Sequence, residues 1–412
     1  MHFKSVFALF SGSFLAQLVT FGSSPYLSRV YSPDDFGIWA VFNAMIGILT
    51  LVAAARYELA IVLPATDDEA KRVLHQALSI TSIISVLILF ILLVTSSFWA
   101  DFFKIPNQPA VFVTVALMTF FFSGTQCLLY WNTRKKNFAL ISSSRVIQSL
   151  GTLGCTVGFA FSPFHHLGLI LGACLGQALS FAYLVAFFGA RQLHPFEKIW
   201  DTEILKKYSE FPVYTLPGAL LDTVSLSIPS MLTSRYFGLE VAGQYAFAYR
   251  MISTPLALLH TSLSQVFFQS FSQSVAQPDG THKPPRKILL QTWGLMAAVI
   301  LVPLAVTWLF GPELFSWIFG KRWNEAGQIA ALLSPLFFFF YVSAPTSVAY
   351  FSLKLQRFSL YFGILGISHR TFSFWWGYQQ GNFFTALKIF SICEMLQLIL
   401  HNSILWVRTP KR

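Results

Sequence analysis

The sequence predicts an all-α polytopic membrane protein, with about twelve transmembrane helices in two six-helix lobes related by internal duplication. Three observations carry this expectation: composition, the spacing of apolar runs, and a repeat at half the chain length. The chain has 412 residues, of which 55% are hydrophobic and 11% charged. Its mean hydropathy is +0.60. Soluble domains carry about 25% charged residues, so a chain this apolar buries its surface in lipid.

Apolar runs long enough to cross a bilayer fall near 6–27, 36–63, 74–99, 110–131, 139–162, 167–190, 210–233, 241–271, 287–310, 327–351, 358–378 and 384–407. The first follows Lys4 and resembles a signal peptide. More runs follow it with no soluble domain between, so it reads as an uncleaved first helix. With the N-terminus inside, the loops alternate in charge. Inside segments hold 18 of the 28 Lys and Arg residues and outside segments hold 5. That bias places both termini in the cytoplasm.

The repeat lies at a helix-to-helix turn. Ser28-Arg29-Val30-Tyr31 leads through Asp34 to Gly37-Ile38-Trp39-Ala40, and Ser234-Arg235-Tyr236-Phe237 leads through Glu240 to Gly243-Gln244-Tyr245-Ala246. The offset is 206 residues, half the chain. An even number of helices per half gives both halves the same orientation, related by an axis along the membrane normal. The expected division is a lobe over 1–190, a cytoplasmic linker over 191–209 and a lobe over 210–412. Pro195 and the mixed charges of the linker predict a short helix along the membrane surface. Pro278, Gly280, Pro284 and Pro285 make 272–286 a turn-rich loop. Arg29 and Arg235, with the acids beside them, are expected to anchor and cap their turns, and Asp34-Asp35 and Asp67-Asp68 to sit at helix starts, where the dipole favours acids.

Several function classes drop out. The net charge of +11 sits in alternating loops, and no basic run with interleaved aromatics or helix-turn-helix pattern points to nucleic acid. Cys127, Cys155, Cys174 and Cys393 all fall in apolar runs without CxxC or zinc-ligand spacing, so neither a disulfide framework nor a metal site is expected. There is no Walker loop, GxSxG or HExxH. No cofactor and no catalytic activity are expected.

The informative residues are polar groups within the apolar runs, because ionisable groups are costly there. Arg56 and Glu58 close the second run. Two positions apart on a helix, they point in different directions, so Glu58 is expected to find a base on another helix of the N-terminal half, Arg145 first. Arg56 could also snorkel to the interface. Arg145 and Gln148 share a face of the fifth run. Asp222 lies on the seventh, Arg370 on the eleventh, Lys388 and Glu394 on the twelfth. Gln177, His260, Gln265 and Gln269 add hydrogen-bonding capacity, His260 as a packing residue. Arg250 is the deepest base, roughly 14 Å into a core of about 30 Å. Tyr245 and Tyr249 stand beside it. Bases outnumber acids in these runs, which suits an anionic, hydrophilic cargo held by guanidinium forks. The other reading is that Arg250, Arg56, Arg145, Arg370 and Lys388 pair internally with Glu58, Asp222 and Glu394. The residues alone leave both open.

Leu27-Ser28-Arg29-Val30-Tyr31-Ser32-Pro33-Asp34-Asp35-Phe36-Gly37, Arg56-Tyr57-Glu58-Leu59-Ala60-Ile61-Val62-Leu63-Pro64, Phe211-Pro212-Val213-Tyr214-Thr215-Leu216-Pro217, Gln265-Val266-Phe267-Phe268-Gln269 and Phe310-Gly311-Pro312-Glu313-Leu314-Phe315 form a combined pattern. It resembles the polysaccharide biosynthesis (oligosaccharide flippase, Wzx-type) family of the multidrug/oligosaccharidyl-lipid/polysaccharide exporter superfamily, over residues 1 to about 355. The resemblance implies two six-helix lobes around a central cavity. It also implies alternating-access flipping of an undecaprenyl-diphosphate-linked sugar unit, an O-antigen or a capsule or exopolysaccharide repeat, across a bacterial inner membrane. The implied partners are that lipid-linked oligosaccharide, membrane lipid and the polysaccharide polymerase machinery. Two alternatives are a drug/cation antiporter of the same fold, which would want a net-acidic cavity, and a membrane-embedded glycosyltransferase, polymerase or ligase, which would want catalytic acids or a large external loop.

The charge bias fixes the expected outcome of a labelling experiment. A cysteine placed at Asn107 or Asn324 is reached by an impermeant thiol reagent from outside, and one at Asn137 or Thr281 is not. The opposite pattern overturns the orientation.

Overall fold

Apolar runs with few breakers leave the backbone one way to satisfy its own polar groups in lipid, which is to form helices. The computed structural model describes residues 3–188, 200–276 and 283–410, and among these every regular element is helical. They are α1 (Phe3–Gly22), α2 (Ser24–Val30), α3 (Pro33–Ala54), α4 (Asp67–Val94), α5 (Ser96–Phe103), α6 (Pro109–Arg134), α7 (Phe138–Phe159), α8 (Gly168–Phe188), α9 (Thr202–Lys207), α10 (Leu216–Phe237), α11 (Leu239–Ala276), α12 (Pro285–Phe319), α13 (Asn324–Ser343), α14 (Ala349–Ser352), α15 (Gln356–Gln379) and α16 (Phe383–Arg408). Twelve of these described helices have 20 residues or more, one for each expected apolar run. Among the described residues, seven helical segments are both long and apolar enough to cross a membrane. Residues 191–199 of the expected linker, with Pro195, and Pro278 and Gly280 of the expected loop lie outside the described residues.

The chain packs as two compact units, Met1–Gly243 and Gln244–Arg412. The first extends past the expected linker because α10 lies along α3 and because α9 is bound to α4. Arg72 of α4 reaches Asp201 at 2.7 Å and Glu203 at 2.6 Å, and the Gln76 side chain accepts from the Asp201 backbone N–H. Lys207 contacts Glu69 at 2.5 Å, which raises its ammonium pKa above the ordinary value. A short helix therefore lies within the expected linker at Thr202–Lys207, and ion pairs dock it onto the start of α4.

The second apolar run differs most from expectation. It was expected to continue to residue 63, but α3 ends at Ala54. Ala55 (φ 47°) and Arg56 (φ 63°) are both left-handed. Neither is glycine, so each carries a strain of about 1–2 kcal/mol. The chain then forms a short 3-10 helix over Tyr57–Val62, which packs on α4 and α6. Arg134 at the end of α6 clamps its exit by donating to the Pro64 carbonyl at 2.6 Å. It also reaches Asp67 at 3.0 Å, where Lys135 makes a second ion pair. Asp67 thus joins two helices as well as opening α4.

At its other end α3 starts with a reciprocal cap. Ser32 Oγ accepts from the Asp35 N–H at 3.3 Å, and the Asp35 carboxylate accepts from the Ser32 N–H at 2.8 Å. One turn in, the two copies of the repeat meet. A Cβ on Gly37 would lie 2.1 Å from the carbonyl oxygen of Leu239, and one on Gly243 would lie 1.8 Å from that of Pro33. Pro33 and Leu239 are themselves separated by the repeat offset, as are Gly37 and Gly243. The contact is therefore reciprocal, the signature of a local twofold. Just before it, the second copy is anchored in the first unit. Arg235 donates to the Asp101 carbonyl at 3.0 Å and lies over the Phe102 ring, and Ser234 donates to the Phe103 carbonyl.

Backbone oxygens at that crossing cannot rotate away from an added methyl. Gly37→Ala and Gly243→Ala are each expected to destabilise by about 3 kcal/mol and to lower the yield of folded protein. Gly154→Ala on α7, where a Cβ meets nothing within 4 Å, is expected to be neutral or mildly stabilising. Thermal unfolding of the purified variants checks the ranking.

Candidate functional site

In lipid, an ionised side chain persists where something compensates it, so the partner of each intramembrane charge decides what it can do. In the first unit, Glu58 sits in the 3-10 turn, 5% exposed. The break at Ala55 and Arg56 turns both side chains the same way, and Arg56 Nη1 lies 3.5 Å from Glu58 Oε1. The expectation that these two could not meet assumed a continuous helix, and it is corrected here. So is the expected Glu58–Arg145 pair, because Arg145 donates from α7 to Ser13 of α1 instead. Glu58 Oε2 and Arg56 Nε are buried without a hydrogen-bond partner. Gln148 is occupied too, donating to Gln177 at 2.5 Å, while Gln177 donates to Thr125 at 2.8 Å. Asp222 is exposed on α10 and makes no ion pair among the described residues.

The second unit holds a denser cluster between α15 and α16. Arg370 Nε donates to Glu394 Oε1. His369 Nε2 lies 2.9 Å from Gln397 Oε1 and 3.8 Å from Glu394 Oε1, and Gln397 donates in turn to the Phe362 carbonyl at 3.2 Å. The sequence leaves Arg370 open to cargo binding or to internal pairing with an acid such as Glu394, and the helix hairpin pairs these two. His369 is the member of this cluster that the sequence reading missed. Its signal was the spacing on the facing helix, since Glu394 and Gln397 are three apart and share a face.

Tyr245 and Tyr249 of α11 lie within electrostatic reach of both Arg370 and Glu394. Tyr249 packs on Phe337 of α13 with ring centroids 5.1 Å apart, and Tyr341 donates to the Ser253 carbonyl at 3.0 Å. Arg250, the next residue of α11, is half-buried. Lys388 is exposed on α16. His260 bonds Ser264 one turn on, at 3.2 Å, a local packing contact as expected. The second unit thus gathers a guanidinium–carboxylate pair, an imidazole and two phenols near one another, with a second guanidinium following Tyr249. That arrangement can bind phosphate oxygens through the forks and sugar faces through the rings. Among the described residues, no group of three or more His, Cys, Asp or Glu could hold a metal ion.

Comparison with known proteins agrees with this frame. The chain is 22% identical over 330 residues to the succinoglycan biosynthesis transport protein ExoT of Rhizobium meliloti, covering 78% of this chain and 64% of that protein. It is 21% identical over 271 residues to the teichuronic acid biosynthesis protein TuaB of Bacillus subtilis, covering 65% and 54%. The chain thus spans less than two thirds of the length of either relative. Among solved structures it is similar to the lipid II flippase MurJ in an inward closed conformation, with a TM-score of 0.74, 10% identity and coverage of 97% of this chain and 87% of that one. It is also similar to an inward-facing multidrug resistance MATE family transporter of the MOP superfamily, with a TM-score of 0.60, 14% identity and coverage of 97% and 93%. At such identities the likeness concerns the fold. A family model described as polysaccharide biosynthesis protein matches residues 26–328, from α2 through the Gly37–Gly243 crossing to the start of α13. The chain belongs to the polysaccharide biosynthesis protein family.

Proposed function

We propose that the chain is a flippase that carries an undecaprenyl-diphosphate-linked sugar unit from the cytoplasmic to the periplasmic leaflet of a bacterial inner membrane by alternating access. The observation that carries the reading is the reciprocal crossing of Gly37 and Gly243, which ties two copies of one helical motif together. Two like-oriented halves joined in this way are what a rocking transporter needs. Family membership and the fold shared with a lipid II flippase support the lipid-linked cargo. In this reading the twelve long helices are twelve spans in two lobes, divided by the duplication, with both termini in the cytoplasm.

The cargo assignment rests on charge. Inside the apolar runs, Arg56, Arg145, Arg250, Arg370 and Lys388 outnumber Glu58, Asp222 and Glu394. A surplus of cations favours a diphosphate or an acidic sugar over a cationic drug. Arg250 is the assigned cargo ligand, and the Arg370–Glu394 pair is the assigned polar core of the α15–α16 hairpin. Arg56 forms a separate pair with the buried Glu58 just past the end of α3.

Removal of the chain from its cell is expected to make the lipid-linked unit accumulate on the cytoplasmic leaflet, where an assembly enzyme's loss would leave a missing or unextended product. Arg250→Ala is expected to lower flipping at least tenfold at equal amounts of membrane-inserted protein. Arg250→Lys should recover part of it, since it keeps the charge and loses the fork. Near-normal flipping by Arg250→Ala removes this residue from the mechanism.

A separate expectation concerns Arg370 and Glu394. Replacing either alone with Leu should cost about 3 kcal/mol, because it strands a buried charge. Replacing both with Leu should recover most of that loss in a thermal unfolding measurement. Additive losses would show that the two do not act as a pair.

A further inference from the structure

We propose that the first unit carries a binding site for an anionic phospholipid at the end where α6 and α8 finish and α4 and α7 begin. A cleft of about 780 Å³ opens there, lined by Lys71, Trp131, Lys135, Tyr183 and Phe187 among others. Its charge is not used up internally. Lys135 shares Asp67 with Arg134, so two cations meet one anion, and Lys71 makes no ion pair among the described residues. Of the acids nearby, Glu69 is engaged by Lys207 and Glu203 by Arg72, and the exposed Asp68 is not among the residues that line the cleft. Two ammonium groups line the cleft and no carboxylate does, which favours a phosphate monoanion.

The walls indicate a lipid. Trp131 forms an aromatic face, 6% exposed, with the Lys135 ammonium 5.2 Å from its ring centroid. The Tyr183 hydroxyl is tied to Ser143 at 2.9 Å, which orients its ring, and Phe187 packs on that ring with centroids 4.8 Å apart. Phe187 is 65% exposed, and Leu179 and Leu175 are 47% and 44% exposed. Positions 175, 179, 183 and 187 recur every four residues, so they form one apolar stripe running along α8 out of the cleft. At 1.5 Å per residue the stripe is about 18 Å long, a little over half of a hydrocarbon core of about 30 Å. A cationic cleft continued by a stripe of that length matches a phosphate headgroup with one acyl chain. A soluble phosphate would need only the cleft.

The site is independent of which cargo crosses, and its test does not require flipping. The full chain, purified in detergent with phosphatidylglycerol and phosphatidylcholine of the same acyl chains in equal amounts, is examined for retained lipid by native mass spectrometry. Phosphatidylglycerol should be retained in preference, and Lys71→Gln should reduce that retention about fivefold, with Lys71→Arg close to the parent. Lys321→Gln, an equal charge loss on the exposed turn before α13, should leave it unchanged. Phe187→Ser should weaken retention of both lipids. Three results overturn the proposal. The first is no preference for the anionic lipid, and the second is an equal effect of Lys321→Gln, which would mean diffuse surface charge. The third is displacement of the lipid by millimolar inorganic phosphate together with indifference to Phe187→Ser, which would make the cleft a free-phosphate site.

Discussion

The close approach of two backbones at Gly37 and Gly243 constrains the rest of the first unit. A carbonyl oxygen from each strand of the crossing occupies the space a side chain would need on the other. Such contact is possible only if both helices begin within a residue or so of the observed position. The start of α3 is therefore fixed by its Ser32–Asp35 cap, and the entry into α11 by the anchoring of Ser234 and Arg235 on the end of α5. The alignment of α10 along α3 follows from the same crossing. Helix association in lipid gains little from apolar burial, so small residues that admit close contact take over that role. Between α7 and α8 the same device recurs, where Gly172 and Gly176 face Thr156 and Thr152.

Charge imposes the second constraint. The medium offers ionised groups no water, and the chain meets that in two ways. Glu394 is neutralised across a hairpin by Arg370, with His369 and Gln397 extending the network. Glu58 is neutralised by a residue two positions away, which requires the backbone to leave the helix. The second solution strains Ala55 and Arg56, and it also leaves one carboxylate oxygen and one guanidinium nitrogen without partners. The packing of the 3-10 turn against α4 and α6, with Tyr57, Ala60 and Ile61 buried, offsets that cost. A pair held under strain can rearrange more readily than one built across two straight helices.

Much of this frame was legible in the residues. Each long helix matches an apolar run, and the repeat marked the two helix-to-helix turns, though not that they cross. The turn after α3 was not legible. Left-handed backbone usually announces itself through Gly or Asn, and Ala55-Arg56 carries neither, so the apolar run read through to Pro64. The pairing of charges was also hidden, for a different reason. Arg370 and Glu394 were each visible as costly, but helix-to-helix register is set by packing and not by sequence spacing. The same applies to Arg145, which a partner on α1 claims in place of Glu58.

Comparing the two copies of the repeat shows which of its constraints are stiff. Both keep Ser-Arg before the turn and glycine after it. They differ in how the second helix is started. In the first copy Ser32 caps α3 through its side chain, and Pro33 opens the helix. The residue equivalent to Ser32 is Gly238, which has no side chain to cap with and adopts φ 91°. A left-handed glycine redirects the chain by backbone conformation alone, where serine does it with a hydrogen bond. The acid moves as well, since Asp35 of the first box corresponds to Val241 and only Asp34 has its counterpart, Glu240. Ending one helix and starting the next thus has at least two chemical solutions, and the halves use one each. Bringing two carbonyl oxygens against two Cα atoms has one solution, glycine at both positions, and there the halves are identical. The crossing is therefore the part of the duplicated unit with least freedom to change, while the caps around it could diverge.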